Sequence, residues 1–278
     1  MILKTRAKIN LSIDIVGKRN DLYDILNIKE IDFDEIIIKT NSNEIPVDSS
    51  NIVYKAIKLI KETYNINKGV EVYIEKNIPV AGGLAGGSTN CAGVLVGLNK
   101  IWNLNLTKDN LKYIGLKLGA DVPFCIEGGS KFATNIGEKL TDLPSLDESI
   151  NILVCKPDLF VSTKDVYTNI DINNLVNIHD NKYLIECLKN KDAINLSKNI
   201  KNVLENVTTK MHKEIDEIKN IMRNNNSLGT IMSGSGPTVF GLYNSKEDIL
   251  SAKNELLKKY KQVYITKSSL KGVEIIDG

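Results

Sequence analysis

The chain has 278 residues, which exceeds the size that one hydrophobic core usually serves and favours two domains. Its 36 basic and 34 acidic residues are interleaved and leave a net charge of +2, so the composition lacks the basic footprint of a nucleic-acid-binding protein. No apolar run reaches the roughly 18 residues of a membrane span or forms the core of a signal peptide. The four cysteines lack the paired spacing of a zinc site or a disulfide framework. We therefore expect a cytoplasmic protein with reduced thiols and with no membrane or nucleic-acid partner. Its oligomeric state is left open.

The first predicted element is a strand, because apolar and polar side chains alternate there with a period of two. The face expected to be buried carries Ala7, Ile9, Leu11, Ile13 and Ile15. The opposite face carries Lys4, Arg6, Lys8, Asn10, Ser12 and Asp14. This second face is polar along its whole length and is therefore suited to line a cleft.

The remaining elements follow from the same kinds of pattern and from turn residues. In chain order they are a turn-like stretch at 17–24, a strand near 31–40, a helix at 52–64, a strand near 70–74, a glycine-rich loop, and helices near 88–102 and 107–118. After a break at 119–124 come a buried strand at 151–155, a polar helical region at 162–225, strands at 229–232 and 238–243, a helix at 246–260 and a strand at 262–268. The change in character near residue 156 predicts one domain at residues 1–155 and another at residues 156–278.

The strongest local signal is the glycine-rich loop before the helix near 88–102. The loop consists of Pro79, Val80, Ala81, Gly82, Gly83, Leu84, Ala85, Gly86, Gly87, Ser88 and Thr89. Glycines let main-chain N–H groups approach an anion, and the positive end of a helix that begins at Ser88 favours phosphate. The loop has neither the lysine of a Walker A motif nor the spacing of a dinucleotide-binding motif. The alternative is a tight turn whose glycines only relieve crowding.

A second glycine loop, at residues 232–238, lies between two short predicted strands and includes Gly234 and Ser235. Its main-chain donors suit phosphate or a polar substrate. A plain connection between strands explains this loop equally well when it is viewed alone. Two such loops in one chain favour an anionic ligand.

Two charged residues are candidates for catalysis. Asp121 follows a helix and precedes a proline, where aspartate is commonly a turn or capping residue, but a carboxylate there can also accept or orient a substrate hydroxyl proton. Lys8, on the first strand, is by itself typical of a solvated lysine. If the two side chains converge, the lysine favours the ionised carboxylate and stabilises charge on a transferred group.

Together these segments resemble the GHMP kinases over nearly the whole chain. The matching segments are residues 7–11, 79–89, 118–124, 156–167, 202–206 and 233–238. The glycine loops alone resemble those of the whole superfamily. A narrower resemblance comes from the first strand, the Asp121 segment and the stretch at 162–163. These segments are similar to those of members that act on a cytidine-diphosphate derivative of methylerythritol in non-mevalonate isoprenoid biosynthesis. The resemblance implies an α+β fold of two domains, with a left-handed βαβ crossover in the N-terminal sheet-and-helix domain, a ferredoxin-like C-terminal domain and the site between them.

The resemblance also implies roles for individual residues. Lys8 and Asp121 are the implied catalytic pair, residues 79–89 the implied site for the phosphates of ATP, and Ser88 an implied ligand of Mg²⁺. Asn10 is implied to contact the methylerythritol part of the substrate. The other implied substrate-binding residues are Tyr23 and Tyr167, which would stack on cytosine, and Asp24, Thr163, Gly234 and Ser235. The implied reaction is direct transfer of the γ-phosphate to the 2-hydroxyl of the substrate, without a phosphoenzyme.

One segment departs from the family pattern, which usually reads Asp-Gly-Tyr-His where this chain has Asp21, Leu22, Tyr23 and Asp24. A carboxylate at Asp24 can accept from the exocyclic amine of cytosine and would be repelled by the carbonyl of uracil, so cytidine specificity remains the expectation. Two other functions stay open from the sequence. The chain is another GHMP kinase, of the homoserine or mevalonate type, which shares the ATP loops but not the substrate face, or it is a nucleotide-binding regulator that has lost catalysis.

Overall fold

The computed structural model describes residues 1–11, 15–171 and 180–277, which form two β-sheets with helices packed against them. The strands are β1 (Ile2–Asn10), β2 (Ile15–Ile31), β3 (Ile36–Thr40), β4 (Gly69–Glu75), β5 (Ser130–Thr134), β6 (Lys139–Leu143), β7 (Asn151–Lys156), β8 (Gly229–Met232), β9 (Val239–Tyr243), β10 (Gln262–Thr266), β11 (Ser268–Ser269) and β12 (Val273–Asp277). The helices are α1 (Ile52–Tyr64), α2 (Gly86–Ile101), α3 (Lys108–Leu116), α4 (Val122–Glu127), α5 (Thr163–Thr168), α6 (Asn181–Lys189), α7 (Ala193–Asn199), α8 (Glu205–Met211), α9 (Glu214–Asn224) and α10 (Lys246–Leu257). None of these described helices has the length and apolar character needed to cross a membrane. Ile13, predicted on the buried face of the first strand, lies outside the described residues.

The first sheet contains eight strands within the described residues, and its main path runs β12-β1-β2-β4-β3. β5 and β11 pair with β2, and β6 pairs with β5. All of these pairs are antiparallel except β3 and β4, which are parallel and are joined through α1. Helices α1 and α2 bury their apolar residues against this sheet, for example Ile57, Ile60 and Leu98 against Leu26 and Val72.

The second sheet has the order β10-β7-β9-β8 and is antiparallel throughout. Its chain order of strand, helices, strand, strand, helix and strand is the ferredoxin-like arrangement. Helices α9 and α10 contribute Ile218 and Ile249 to a core that also holds Leu153 and Val239 of the sheet. The predicted α+β fold with two sheet-based units is therefore confirmed.

The first strand joins the two units. Beyond a register shift between Arg6 and Lys8, the apolar side chains of β1 leave the core of the first sheet. Ala7 and Ile9 are buried instead in a cluster with Ile152 and Phe240 of the second sheet. On the opposite face of the same strand, Lys8 and Asn10 line a cavity together with residues of both units, as expected for a face that lines a cleft. Lys4 and Arg6 line a different cavity.

Several predicted boundaries are wrong. The turn-like stretch at 17–24 lies within β2, because pairing with β1 and with β11 continues the strand through these polar residues. The strand predicted near 31–40 begins only at Ile36. The helix predicted from Ser88 begins two residues earlier, at Gly86. β5, β6 and β12 were not predicted, nor was the short helix α4.

The division of the chain at residues 155 and 156 stays a prediction, and sheet membership departs from it at two places. β7 (Asn151–Lys156) belongs to the second sheet although most of it precedes the predicted boundary. β11 and β12 return to the first sheet, where β12 pairs with β1. The end of the chain therefore completes the sheet that its beginning started.

Candidate active site

Lys8 and Asp121 meet at the junction of the two units. The main-chain N–H of Lys8 donates to the carbonyl of Leu84 at 2.9 Å, which joins β1 to the first glycine loop. Lys8 Nζ lies 2.5 Å from Asp121 Oδ1, although the two residues are 113 positions apart in sequence. Asp121 precedes α4 as its N-cap residue but makes no side-chain capping hydrogen bond. The lysine side chain is 9% exposed and the aspartate side chain 45% exposed, so the carboxylate is accessible to a substrate.

The pair lies in a cavity of about 400 Å³, which we call the catalytic cavity. Nine residues predicted from the sequence line it together: Lys8, Asn10, Gly83, Ala85, Asp121, Thr163, Tyr167, Gly234 and Ser235. Six further lining residues were not predicted: Phe124, Ala133, Asn135, Ile136, Gly137 and Leu204. Phe124 and Leu204 lie in segments that resemble the family, and the Asn-Ile-Gly run is a turn sequence between β5 and β6. Ala133 carried no recognisable signal.

The first glycine loop separates the catalytic cavity from a second cavity of about 390 Å³, which we call the loop cavity. Gly83 and Ala85 line both cavities. Ala81, Gly83 and Ala85 all have positive φ angles, of 51°, 68° and 53°, so the loop is tightly curved. The rest of the loop cavity is formed mainly by apolar residues that include Ile45, Pro46, Ile52, Val53 and Ile74. Two compartments on either side of one glycine loop are suited to two different substrates.

The hydroxyls at the start of α2 differ in their surroundings. Thr89 is fully buried, and its Oγ1 donates to the carbonyl of Arg6 at 2.7 Å, so this hydroxyl holds α2 against β1. Ser88 is partly exposed, and its Oγ lies 3.9 Å from the position that a Cβ of Gly119 would take. Ser88 is thus directed toward the segment that carries Asp121. The structure therefore leaves Ser88, rather than Thr89, available to a ligand.

The two glycine loops are packed directly on each other. Ser233 Oγ donates to the carbonyl of Gly83 at 3.0 Å, and a Cβ at Gly83 would lie 2.3 Å from the carbonyl oxygen of Ser233. Gly234 has a φ of 59° and approaches the amide of Asn10. Thr163 Oγ1 and Ser235 Oγ share a hydrogen bond of 2.8 Å. These contacts place the second loop in the wall of the catalytic cavity, beside Asn10 of β1.

The structure places Tyr23 and Asp24 outside this cavity. Tyr23 lines a separate cavity, where Lys4 Nζ lies 4.6 Å from its ring centroid, so it does not face Tyr167 across the site. The carboxylate of Asp24 is fully buried and accepts hydrogen bonds from the main-chain N–H groups of Asn77 and Ile78, each at 2.7 Å. A carboxylate held in this way cannot read a base in the catalytic cavity.

Lys76 is the partner of Asp24 that sequence reasoning missed. Its Nζ lies 2.7 Å from Asp24 Oδ2 and donates to the carbonyl of Ile78 at 2.6 Å. Burial lowers the pKa of Lys76, and the charge of Asp24 partly offsets that effect. The pair stabilises the backbone immediately before Pro79, where the first glycine loop begins. The pair therefore supports the start of the loop, and Lys76 also lines the loop cavity. No local pattern predicted the pair, because the pairing of β2 with β4 brings the two residues together.

Comparisons with known proteins agree with this arrangement. A profile of the GHMP kinases N terminal domain matches residues 51–129, and a profile of the GHMP kinases C terminal matches residues 184–262. The chain is 60% identical to the 4-diphosphocytidyl-2-C-methyl-D-erythritol kinase of Clostridioides difficile strain 630, over 98% of this chain and 97% of that protein. It is 46% identical to the enzyme of the same name from Clostridium beijerinckii, over 96% of this chain and all of that protein (100%).

Solved structures show the same fold. A crystal structure of 4-(cytidine 5'-diphospho)-2C-methyl-D-erythritol kinase superposes with a TM-score of 0.80 at 25% identity, covering 97% of this chain and 99% of that one. Homoserine kinase from Cytophaga hutchinsonii superposes with a TM-score of 0.82 at 19% identity, covering 99% of this chain and 97% of that one, and this likeness concerns the fold alone. Taken with the sequence identities, these matches show that the chain is a small-molecule kinase that belongs to the GHMP kinases and, among them, to the 4-diphosphocytidyl-2-C-methyl-D-erythritol kinases.

Proposed function

We propose that this chain transfers the γ-phosphate of ATP to the 2-hydroxyl of 4-diphosphocytidyl-2-C-methyl-D-erythritol, a step in non-mevalonate isoprenoid biosynthesis. The observation that carries the proposal is the 2.5 Å contact between Lys8 and Asp121 beside a glycine loop that borders two cavities. The choice of acceptor is supported by the 60% identity to a relative of that name.

The nucleotide belongs in the loop cavity. Its apolar residues suit an adenine ring, and residues 79–89 offer main-chain N–H groups and the N-terminus of α2 to the phosphates. Because Gly83 and Ala85 also line the catalytic cavity, the terminal phosphate of a nucleotide bound in this way would lie close to the acceptor. This arrangement supports direct transfer from donor to acceptor.

Asp121 and Lys8 have complementary roles in the transfer. Asp121 accepts or orients the proton of the acceptor hydroxyl, whose oxygen forms the new bond to the γ-phosphorus as the bond to the β–γ bridging oxygen breaks and ADP leaves. Lys8 Nζ stabilises the negative charge that spreads over the transferred phosphoryl oxygens. The proton taken by Asp121 is then released to solvent, which reaches its half-exposed carboxylate. No covalent intermediate with the protein is required.

The residues present also fit Mg²⁺ bound together with the nucleotide. Within the described residues there is no cluster of three or more histidine, cysteine, aspartate or glutamate side chains that could hold a metal alone. Magnesium commonly binds through substrate phosphates, water and one or two protein oxygens, and Ser88 offers such an oxygen at the start of α2. When bound, Mg²⁺ would neutralise charge on the phosphates.

The remaining cavity residues are proposed to bind the acceptor. Asn10 Oδ1 is buried without a hydrogen-bond partner among the described residues, which suits contact with a hydroxyl of the methylerythritol part. Tyr167 is 55% exposed at the edge of the cavity and is available to stack on the cytosine ring. Thr163, Gly234 and Ser235 complete this wall.

The test is an assay of the purified chain with ATP, Mg²⁺ and 4-diphosphocytidyl-2-C-methyl-D-erythritol, with ADP release and product mass as readouts. Homoserine and mevalonate serve as competing acceptors, and Asp121→Asn controls for contaminating kinases. We expect a product heavier by one phosphate with the cytidine substrate alone. Faster turnover of homoserine or mevalonate would refute the assignment of the acceptor. Absence of transfer to all three acceptors, even in a single turnover, would favour a regulatory protein.

A further inference from the structure

The second glycine loop is held by side chains from one short segment of the C-terminal unit. Asn202 Nδ2 donates to the carbonyls of Met232 and Gly234, at 2.8 Å and 2.7 Å. Glu205 Oε1 accepts from the main-chain N–H of Met232 at 2.7 Å. Thr208 Oγ1 shares its single hydrogen between the carbonyls of Leu204, at 3.1 Å, and Ser235, at 3.3 Å. Main-chain groups of Met232, Gly234 and Ser235, in the first half of the loop, are thus bound by side chains within residues 202–208.

A buried ion pair completes this arrangement. The second carboxylate oxygen of Glu205, Oε2, accepts from Lys219 Nζ of α9 at 2.6 Å. The side chains of Glu205 and Lys219 are only 7% and 8% exposed. A buried carboxylate is costly unless each of its oxygens is bound, and here one oxygen faces the lysine and the other faces the loop. The lysine therefore fixes the carboxylate in the position from which it binds Met232.

We propose that Asn202, Glu205, Thr208 and Lys219, which we call the polar clamp, are positioning residues for the acceptor side of the active site. None of the four lines the catalytic cavity. They act through the loop, because Gly234 and Ser235 do line it. This inference rests on the proposed function for its kinetic consequence, but the structural link between clamp and loop does not depend on the substrate.

The expected consequence is selective for the acceptor. Ser235 is bonded to Thr163 and Gly234 approaches Asn10, so a shift of the loop displaces the wall of the catalytic cavity. The second loop donates one side-chain hydrogen bond to the first glycine loop, from Ser233 Oγ to the carbonyl of Gly83, and the loop cavity contains no clamp residue. Small misplacements near a reacting group are strongly felt in phosphoryl transfer. Loss of the clamp should therefore raise the KM of the acceptor more than that of ATP.

The test compares two double variants that both remove the buried charges. Glu205→Gln with Lys219→Met retains an oxygen opposite the N–H of Met232, whereas Glu205→Met with Lys219→Met leaves that N–H without an acceptor. We expect the second variant to raise the acceptor KM by about 10-fold and the ATP KM by less than about 3-fold, on the scale of one lost buried hydrogen bond. In the first variant the acceptor KM should stay within about 3-fold of the wild type.

Two further variants separate positioning from stability. Ile249→Ala opens the core under α10, a helix that carries no clamp residue, so it should lower the melting temperature and leave both KM values near the wild type. Thr208→Val is a milder change that should fold even if the double variants do not, and it should raise the acceptor KM about 3-fold. Equal changes in both KM values, or an unchanged acceptor KM in Thr208→Val and in the Met/Met variant, would overturn the proposal.

Amide hydrogen exchange at residues 232–236 provides a readout that needs no substrate. Exchange should be at least about 10-fold faster in the Met/Met variant than in the Gln/Met variant, because only the former lacks the acceptor for Met232. Identical exchange in the two variants would refute the clamp. If the wild type fails to phosphorylate the cytidine substrate while exchange differs as expected, then the proposed function fails and the clamp stands.

Discussion

Replacement of Asp121 by asparagine is the most direct test of the active site. The carboxylate touches Lys8 at 2.5 Å and is half exposed to the catalytic cavity. The asparagine oxygen can still accept from Lys8, so the local geometry should persist, but the amide cannot take a proton from the acceptor. Loss of a general base costs about two to four orders of magnitude in kcat, or about 3–5 kcal/mol in the barrier.

The same variant should affect stability and nucleotide binding only slightly. Because the Asp121 side chain is 45% exposed, the ion pair is screened by solvent, and its removal should lower the free energy of unfolding by about 1 kcal/mol. The nucleotide is expected in the loop cavity, which contains neither Lys8 nor Asp121, so the Kd for ATP should stay within about 3-fold. Steady-state kinetics, ATP binding by calorimetry and urea unfolding measure the three quantities.

A matched control is Asp142→Asn. Asp142 on β6 also pairs with a largely buried lysine, Lys131, but it is 88% exposed and does not line either cavity. Its turnover should remain within about 2-fold of the wild type. Undiminished turnover in Asp121→Asn would refute the catalytic assignment, and so would a loss of turnover that is matched by an equal loss in Asp142→Asn.

Three other changes test parts of the same arrangement. Gly83 has a φ of 68°, and Gly83→Ala would place a methyl group 2.3 Å from a carbonyl oxygen of the second glycine loop. We therefore expect the free energy of unfolding, measured with urea, to fall by at least about 2 kcal/mol. We also expect the KM for ATP, measured by steady-state kinetics, to rise. Asp24→Asn should lower the free energy of unfolding by about 3 kcal/mol by leaving the buried Lys76 without its charge partner, and should leave the preference for cytidine over uridine substrates unchanged. Hydrogen bonds from Arg6 and, secondly, Lys271 hold the pKa of Glu274 at about 2, below its ordinary 4.5. These ion pairs therefore stabilise the fold above about pH 4.5, and that contribution is lost as the pH falls through about 2. In Glu274→Gln the stability measured by urea unfolding should therefore fall less steeply between these two pH values.

Each of these expectations has an outcome that would contradict it. Gly129 also has a positive φ, of 71°, but a Cβ there meets nothing closer than 3.8 Å, so Gly129→Ala isolates backbone strain from steric contact. Equal effects of the two glycine substitutions would show that the contact between the loops is unimportant. Loss of cytidine preference in Asp24→Asn would restore Asp24 to base recognition. An unchanged pH dependence in Glu274→Gln would mean that other carboxylates dominate acid unfolding.

Local sequence patterns were sufficient to predict many of the helices and strands. The period-two alternation around Ala7 and Ile9 predicted β1, and the spacing of apolar residues at 52–64 predicted α1 with the bounds that the structure shows. The boundaries failed where pairing partners decided them. Residues 17–24 read as a turn because they are polar and include a glycine, yet pairing with β1 and β11 holds them in β2. These hydrogen bonds come from strands that are distant in sequence, so the local propensity of residues 17–24 does not predict them.

The sequence by itself determined the family, the glycine loop, and Lys8 and Asp121 as candidates, because these signals are short runs whose chemistry is independent of their surroundings. Only the tertiary structure decided that Lys8 and Asp121 meet, that Asp24 is enclosed by Lys76 and the N–H groups after it, and that the second loop is bound by residues 202–208. Such contacts join residues that are tens of positions apart, so no window of sequence contains both partners. The overall shape carries less information about the acceptor, since structures of a cytidine-substrate kinase and a homoserine kinase superpose equally well, with TM-scores of 0.80 and 0.82. Substrate choice depends on the side chains that line one cavity, and a shared backbone does not specify them.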